Sequence, residues 1–222
     1  MSVASIGAQL HEQLRTAIVT GEIRPGQALS ETDIATRYEV SRQPVREAFI
    51  RLAQERLVVV LPQRGTFVVK ISIRDVMDGR FVREAIEVAV VREAAALDAP
   101  ARAALVEILR DAIAQQSQVA SGDNASFLML DEHFHHAIAA AVQREHAWRV
   151  VDQIKAQMDR VRYLSFDSAT PVSRLIAQHR EILDAIEAGQ PEVAESAMRM
   201  HHHEILQSLP ELAKRYPEVF ED

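Results

Sequence analysis

Cysteine is absent from the 222-residue sequence, which excludes disulfide bonds and metal sites built from thiolates. Any metal ion must therefore be held by histidine and carboxylate side chains. The chain also has no apolar run long enough for a signal peptide or a membrane-spanning helix, so we expect a cytoplasmic protein without membrane contact. Glycine is scarce, and three of the seven glycines lie in the first 26 residues, within an N-terminal third of mixed character.

The composition is that of a globular protein, with 48% hydrophobic and 26% charged residues. The length allows one large domain or two smaller ones. The net charge of −7 argues against a nucleic-acid binder when the chain is taken as a whole. Its distribution is uneven, because residues 1–70 carry nine Lys and Arg against seven Asp and Glu, whereas the remainder carries 16 against 25. Any contact with nucleic acid is therefore expected in the N-terminal third.

Residues 1–71 show three helical patterns followed by a change to strand periodicity. The second pattern starts after Ser30 and the third after Ser41, two N-cap candidates, and Pro44 suits a first helical turn. The string "LVVVLPQRGTFVVK" then places two β-rich runs on either side of a turn. Three helices and a hairpin in this order predict a winged helix-turn-helix domain. The first helix is indicated by Ile6, Leu10, Leu14 and Ile18.

The first turn of the third helix, "SRQPVRE", carries side chains suited to reading DNA. Arginine bonds guanine bidentately, glutamine reads adenine, and the amides of a helix N-terminus favour phosphate. An arginine beside a glycine in the hairpin turn can reach a phosphate or the minor groove. The alternative is that these arginines form only a solvated helix face. The candidate DNA-binding residues are Ser41, Arg42, Gln43, Arg46, Arg64 and Gly65.

From residue 72 to residue 222 the patterns are helical throughout, and we find no strand pattern in this region. Short breaks such as "ASGDN" and "EAGQPE" separate the helices. The fold expected for the whole chain is therefore mainly α, with a C-terminal all-helical bundle after the winged helix-turn-helix. The six predicted helices cover residues 73–98, 100–120, 124–142, 144–165, 171–188 and 191–215.

Four polar residues interrupt the apolar stripes of these helices. In "LMLDEHFHHAIAAAV", Asp131 and His135 stand four residues apart on the apolar face, whereas Glu132 and His136 are rotated from it by about 100°. His179 lies within the apolar stripe of the next-to-last helix. A divalent cation would satisfy such buried groups, and so would a hydrogen-bond network without metal.

The last helix contains three adjacent histidines, in "AMRMHHHEI". Only His201 lies on its apolar stripe, because successive residues of a helix are rotated by about 100°. His202 and His203 are predicted to lie on the surface. His201 is therefore the fourth candidate metal ligand, together with Asp131, His135 and His179.

The string "GEIRPGQALSETDIATRYEVSRQPVREAFIRLAQERLVVVLPQRGTFV" resembles the DNA-binding domain of the GntR family of bacterial transcription regulators. This resemblance implies a regulator rather than an enzyme, with double-stranded operator DNA as its partner. The six candidate residues fall where the family contacts DNA. Two positions depart from the family: Thr32 replaces an arginine that some members use on DNA, and Arg56 replaces a glycine, which predicts a turn of different shape before the wing.

The patterns "D..FH..I", "H..I..AI..G" and "AMR.H" resemble the FCD ligand-sensing domain of the FadR subfamily. The resemblance implies a divalent metal ion bound by Asp131, His135, His179 and His201, with zinc expected first and nickel or manganese as alternatives. It also implies a small carboxylate or sugar-acid effector. The whole chain is similar to the RspR type within this subfamily, which points to sugar-acid catabolism. The candidate effector-binding residues are Arg83 and Arg162, for which ion pairs between helices are the alternative role.

The function expected from the sequence is that of a homodimeric transcription regulator. Each winged helix would read one half of a palindromic operator. The effector would bind at the metal ion and change the relative position of the two DNA-binding domains. Two alternatives remain open: a regulator for which the metal ion itself is the signal, and a metal-dependent hydrolase, since a metal with an open position can activate water.

Overall fold

The structure is a computed structural model that describes residues 5–166 and 169–222. In it, a serine precedes each of the three N-terminal helices. Ser5 and Ser30 each accept a hydrogen bond at 3.2 Å from the amide three residues on, which satisfies a donor that the helix leaves unpaired. Ser41 occupies the same position, but its side chain makes no capping hydrogen bond. The helices are α1 (Ile6–Val19), α2 (Glu31–Arg37) and α3 (Arg42–Gln54).

A three-stranded antiparallel sheet completes this N-terminal winged helix. The predicted hairpin forms between β2 (Val58–Leu61) and β3 (Gly65–Val68), with Val58 opposite Val68. A short strand that the sequence pattern does not reveal, β1 (Ala28–Leu29), pairs with the other edge of β3. The predicted order of three helices and a hairpin is thus confirmed.

Arg56 lies in the turn that leads from α3 to the wing. Its φ of 56° is the left-handed conformation that glycine adopts most easily. An arginine pays about 1–2 kcal/mol for this conformation, and contacts outside the winged helix offset it. The side chain pairs with Asp75, and the carbonyl accepts a hydrogen bond from Gln157. The turn therefore has a backbone conformation that glycine favours, and the expectation of a differently shaped turn stays a prediction.

The rest of the described chain is almost entirely helical, as predicted, but it contains seven helices instead of six. The predicted helix over residues 144–165 is two helices that meet at Lys155. Residues 167 and 168, in the break before α9, lie outside the described residues. The helical part consists of α4 (Ile73–Ala95), α5 (Ala99–Gln118), α6 (Asn124–Ala141), α7 (Glu145–Ile154), α8 (Ala156–Ser165), α9 (Val172–Glu187) and α10 (Pro191–Arg215).

The break between α7 and α8 has a tertiary cause, because no glycine or proline lies there. The carbonyl oxygen of Ile154 faces Gly79 of α4, where an added Cβ would lie only 3.0 Å away. The Lys155 side chain is buried at the break and lies 3.2 Å from Glu132 and 2.8 Å from Asp159. These contacts place Lys155 between two carboxylates, and they are invisible to apolar periodicity.

A second, two-stranded sheet lies where the sequence analysis expects no strands. Strand β4 (Ile71–Ser72) follows the wing and pairs in parallel with β5 (Phe220–Glu221) near the C-terminus. Phe220 is buried in an apolar cluster with Ile71 and Leu212. The C-terminal segment therefore holds the connection between the winged helix and the helical part.

The winged helix and the helical part each have an apolar core, and each contributes one residue to the other. Val19 of α1 belongs to the core of the helical part, whereas Ala156 of α8 belongs to the core of the winged helix. The two parts thus pack against each other along α1 and α8. No helix among the described residues is both long and apolar enough to cross a membrane.

Candidate metal centre and nucleic-acid interface

The structure brings the four candidate metal ligands together at the centre of the helical part. Asp131 and His135 come from successive turns of α6, His179 from α9 and His201 from α10. Each offers one ligand atom, and these atoms all lie within 4.8 Å of one another. All four residues are buried, so the cluster is shielded from bulk water. We refer to them as the metal cluster.

Two glutamines orient imidazoles of the metal cluster. Nδ1 of His179 lies 2.8 Å from Oε1 of Gln116, and Nδ1 of His201 lies 3.0 Å from Oε1 of Gln178. Each amide is oriented by its own donation, from Gln116 to a backbone carbonyl and from Gln178 to Glu204. Since an amide oxygen only accepts, each Nδ1 carries the proton and each Nε2 keeps a free lone pair.

Glu87 of α4 is the partner of the third imidazole, that of His135, at its outer nitrogen. Its carboxylate lies 2.6 Å from Nδ1 of His135, although the angle departs from that of a hydrogen bond. The other ring nitrogen of His135 is directed to Asp131, at 3.7 Å. Every histidine of the metal cluster therefore has a polar partner on its outer nitrogen. Sequence reasoning missed all three partners, because polar residues on helices resemble surface residues.

The inner atoms of the metal cluster are those that a cation would satisfy. Oδ1 of Asp131 and the Nε2 atoms of His135 and His179 are buried without a hydrogen-bond partner. Burial lowers the pKa of His179 to about 3 and that of His201 well below its usual value, so both imidazoles are neutral, as ligation requires. Three imidazole nitrogens and one carboxylate oxygen form a donor set that suits zinc and related divalent ions.

Both candidate effector-binding arginines lie beside the metal cluster. Burial opposes ionisation of Asp131, but the Arg162 guanidinium in contact with it holds the pKa of this carboxyl well below its usual range. Arg83 pairs with Glu87 and lies 3.5 Å from Glu132, while its Nη2 is buried without an acceptor. The alternative noted above, ion pairs between helices, therefore describes contacts that both side chains make.

A small cavity reaches the metal cluster from the side of these arginines. It has a volume of about 30 Å³, and Arg83, Arg162, His201 and His202 are among its lining residues. A space of this size holds about two water molecules. A larger molecule would enter only after the surrounding side chains move apart.

Two expectations about side-chain direction are wrong. His202 is buried rather than on the surface, and its Nε2 lies 3.2 Å from Glu87. Glu132 is mostly buried too, and it contacts Arg162 at 2.8 Å. The reason is that several elements enclose α6 and α10, so the buried arc of each helix is wider than its apolar stripe. His203 is exposed, as predicted.

The four candidate DNA-binding residues at the start of α3 are exposed, but three of them bond other side chains. Gln43 donates to Glu47 at 3.2 Å. Arg42 and Arg46 both bond one carboxylate oxygen of Glu31, at 2.8 and 3.0 Å. Glu31 lies in the first turn of α2. It holds both guanidinium groups close to the start of α3. In a helix that binds the major groove, the residues that contact the bases lie at this end.

The wing presents the remaining two candidates. Arg64 is exposed in the turn between β2 and β3, and its amide closes the turn on the carbonyl of Leu61 at 3.1 Å. Gly65 follows with a φ of 106°, which side chains rarely adopt. Gly65 thus allows the tight turn that leaves Arg64 exposed at the tip of the wing.

Comparisons with known proteins agree with this division of the chain. Residues 6–68 match the family described as bacterial regulatory proteins of the gntR family, and residues 80–204 match the FCD domain. The chain is 36% identical over 217 residues to the HTH-type transcriptional repressor RspR of Escherichia coli (strain K12), a match that covers 98% of this chain and 94% of that protein.

Two solved structures share the fold. Escherichia coli McbR/YncC superposes with a TM-score of 0.74 at 22% sequence identity, covering 96% of this chain and 100% of that one. A GntR transcriptional regulator from Rhodococcus sp. RHA1 superposes with a TM-score of 0.66 at 28% identity, covering 93% and 99%. The arrangement of a winged helix followed by a helical bundle is therefore a known one.

Proposed function

The chain belongs to the GntR family of bacterial regulatory proteins and carries an FCD domain, and from this premise we propose that a divalent metal ion and a small organic acid bound in the helical part control its affinity for operator DNA. It is a DNA-binding transcription regulator; its families and relatives are regulators and not enzymes, so the hydrolase alternative has no support. We place the DNA-binding domain at residues 1–71 and the metal-binding and effector-binding domain at residues 72–222, within the FadR subfamily.

The metal cluster carries the proposal. Asp131, His135, His179 and His201 supply four inward ligand atoms, and their outer atoms are fixed by other side chains. Burying such groups without a partner is costly, and a cation removes that cost. Zinc is our first choice, with nickel or manganese as alternatives. When bound, the ion supplies a Lewis-acidic position for an oxygen of the effector.

A carboxylate effector suits the charges around the small cavity. Arg83 and Arg162 are buried there, and Nη2 of Arg83 lacks an acceptor. Guanidinium groups bind carboxylates through two parallel hydrogen bonds, which gives both charge and shape selectivity. A small carboxylate or a sugar acid is therefore the class of effector that we propose, and its entry requires the cavity to widen.

Operator contacts are assigned to the start of α3 and to the wing. Arg42, Gln43 and Arg46 are exposed on the side of α3 that Glu31 borders. Glu31 holds the two arginines in place before DNA binds, and on the operator they exchange its carboxylate for bases and phosphates. The side chain of Ser41, which makes no capping bond, contacts a phosphate, and Arg64 with Gly65 follows the backbone or the minor groove.

We propose a homodimer formed through α4. Its exposed face carries Met77, Phe81, Ala85 and Ala89 at successive four-residue steps, and the Phe81 side chain is 68% exposed. An apolar stripe of this kind is typical of a helix-to-helix interface. Phe81→Glu is expected to give monomers by sedimentation, whereas Ile108→Glu, at an exposed apolar position of α5, should leave the dimer intact. Monomers for both variants, or dimers for both, would exclude this assignment.

The regulatory function is tested by operator binding. Duplexes selected from a random pool report affinity by fluorescence anisotropy, with and without Zn²⁺ and a panel of sugar acids and dicarboxylates. We expect a palindromic site, an affinity that falls steeply with salt because phosphate contacts release counterions, and a change in affinity with Zn²⁺ plus one class of acid. An operator affinity that does not change with salt, with Zn²⁺ or with any of the acids would contradict the proposal.

The small cavity favours a second candidate, in which the metal ion itself is the signal. A volume of about 30 Å³ accommodates an ion with water as it stands, whereas an organic acid requires the cavity to widen. Titration of Zn²⁺ at fixed concentrations of the acids separates the two functions. Operator affinity that follows Zn²⁺ alone supports the metal-responsive regulator, and affinity that also needs the acid supports the effector.

A further inference from the structure

Asp159 connects the winged helix to the helical part. Oδ2 of its buried carboxylate, on α8, accepts hydrogen bonds from Arg15 of α1 at 2.7 Å and from Lys155 at 2.8 Å. Arg15 also donates through Nε to Glu55, the C-cap residue of α3, at 3.1 Å. Ion pairs therefore run without interruption from α8 to the end of the helix whose first turn carries Arg42.

Arg162 lies one helical turn after Asp159 and contacts buried carboxylates on two sides. It forms an ion pair with Asp131 of the metal cluster, and its Nη1 lies 2.8 Å from Glu132. The same Nη1 lies 3.6 Å from Oδ1 of Asp159, an oxygen that is buried without a hydrogen-bond partner. Asp159 thus offers an unused acceptor just beyond hydrogen-bond range of the guanidinium that holds Asp131.

We propose that Arg162 is shared between Asp131 and Asp159, and that it thereby couples the metal cluster to the Arg15–Asp159 ion pair between the domains. This inference rests on the metal site of the proposed function. A cation and Arg162 both require the charge of Asp131, and Asp159 is the alternative acceptor for Arg162. Because Asp159 already holds two cationic side chains, a third one beside it weakens the attraction that holds Arg15.

The surroundings leave room for this exchange. A cavity of about 660 Å³ lies between α1 and helices α6 to α8, and Arg15, Glu132, Lys155 and Asp159 are among its lining residues. Arg162 itself borders the small cavity beside the metal cluster, so the larger space gives freedom to Arg15 and Lys155, the present partners of Asp159. The exchange needs only a shift of Arg162 toward Oδ1 of Asp159, which is 3.6 Å away.

The coupling has a defined sign, because it is reciprocal. If a cation at Asp131 loosens Arg15 from Asp159, then loss of the Arg15 contact must strengthen cation binding. Asp159 then becomes more available to Arg162, and Asp131 becomes more available to the cation. Without Arg162, changes at Arg15 should no longer reach the metal cluster.

The test is a double-mutant cycle that reports the Zn²⁺ dissociation constant of the full chain without DNA, by competition with a chromophoric chelator. Arg15→Lys keeps the charge, so long-range electrostatics are unchanged. It removes the planar guanidinium fork that bonds Glu55 through Nε and Asp159 through Nη2, which weakens the contact with Asp159. We expect it to tighten Zn²⁺ binding by about five-fold or more, the lower end of typical coupling between sites. In the Arg162→Gln background we expect the same substitution to have no effect.

The controls separate the possible outcomes. Arg51→Lys, at an exposed position of α3, should leave the dissociation constant unchanged, and circular dichroism checks the fold of each variant. Arg15→Gln is a second variant with the same expected direction. Equal effects of the Arg15 substitutions with and without Arg162, or no effect of either, overturn the coupling but not the metal site. A wild-type protein that binds no Zn²⁺ overturns both.

Discussion

Gln116 holds His179 by a hydrogen bond of 2.8 Å between Oε1 and Nδ1, and it thereby directs Nε2 of the imidazole to Asp131, 3.5 Å away. The ring is also stacked on Phe134, with a distance of 4.2 Å between ring centroids. Both contacts fix the imidazole before any cation binds. A donor set that is fixed in advance loses less conformational freedom when it binds a metal ion. We therefore expect the outer partners to contribute to metal affinity together with the candidate ligands.

Gln116→Ala is expected to weaken Zn²⁺ binding by about 10- to 100-fold, the usual effect of removing an outer partner of a ligating histidine. The variant frees His179 to rotate and to change tautomer, while all four ligands remain. Isothermal titration with Zn²⁺ measures the effect. Gln115→Ala is the matched control, because the side chain of Gln115 is exposed and bonds Asp111. Equal affinities for the two variants would remove Gln116 from the account.

Arg42→Ala is expected to weaken specific operator binding by about 1–3 kcal/mol and to relax the preference at one base pair. The reason is the loss of a bidentate donor at the start of α3, where its exposed side chain now bonds Glu31. Anisotropy titrations on single-base operator variants measure both effects. Arg110→Ala, in α5, removes an equal charge from the helical part and should change neither. A uniform loss over all sequences would instead make Arg42 a phosphate contact.

His11 predicts a loss of stability at alkaline pH. Burial alone would lower its pKa, but hydrogen bonds to Glu12 and to Glu55, at 2.6 Å from Nε2, raise the pKa to about 9. Arg15 is a second cationic group of this network, because it also bonds Glu55. Because the pKa of His11 is higher in the folded than in the unfolded state, protonated His11 stabilises the fold. This stabilisation is complete below the unfolded value near 6.5, and it is lost as the pH rises past about 9.

Urea unfolding from pH 7 to pH 10 measures the contribution of protonated His11 to the free energy of unfolding. The free energy of unfolding should fall more steeply in the wild type than in His11→Gln, by an amount on the order of 1 kcal/mol or more. Parallel pH profiles of the two proteins would show that His11 does not carry the charge assigned to it.

The metal cluster was predictable from the sequence because each of its four residues interrupts an apolar stripe. Asp131 and His135 stand one turn apart, and a buried polar group requires a partner. His202 was not predictable in this way. Helix α10 packs against α4, α8 and α9, so its buried arc includes a residue that lies about 100° from the stripe.

Other features depend on contacts between distant parts of the chain. Gln116 and Gln178 have the sequence context of surface residues, and only the fold places their amides on His179 and His201. The break at Lys155 and the strand at Phe220–Glu221 likewise lack local signals, since a buried ion pair and a parallel pairing with Ile71–Ser72 produce them. Periodicity predicted the helical segments and the hairpin, whereas tertiary packing produced the helix break, the short strands and the buried polar contacts.

The three adjacent histidines of α10 provide the most direct test of the metal cluster. Metal content per chain is measured by elemental analysis after Zn²⁺ loading and desalting, for wild type and for His201→Ala, His202→Ala and His203→Ala. We expect one zinc per chain in the wild type, a clear loss in His201→Ala, and full content in His203→Ala. His202→Ala should also keep its zinc, because His202 contacts Glu87 and is not part of the cluster. Equal contents for His201→Ala and His203→Ala, or no zinc in the wild type, would contradict the account.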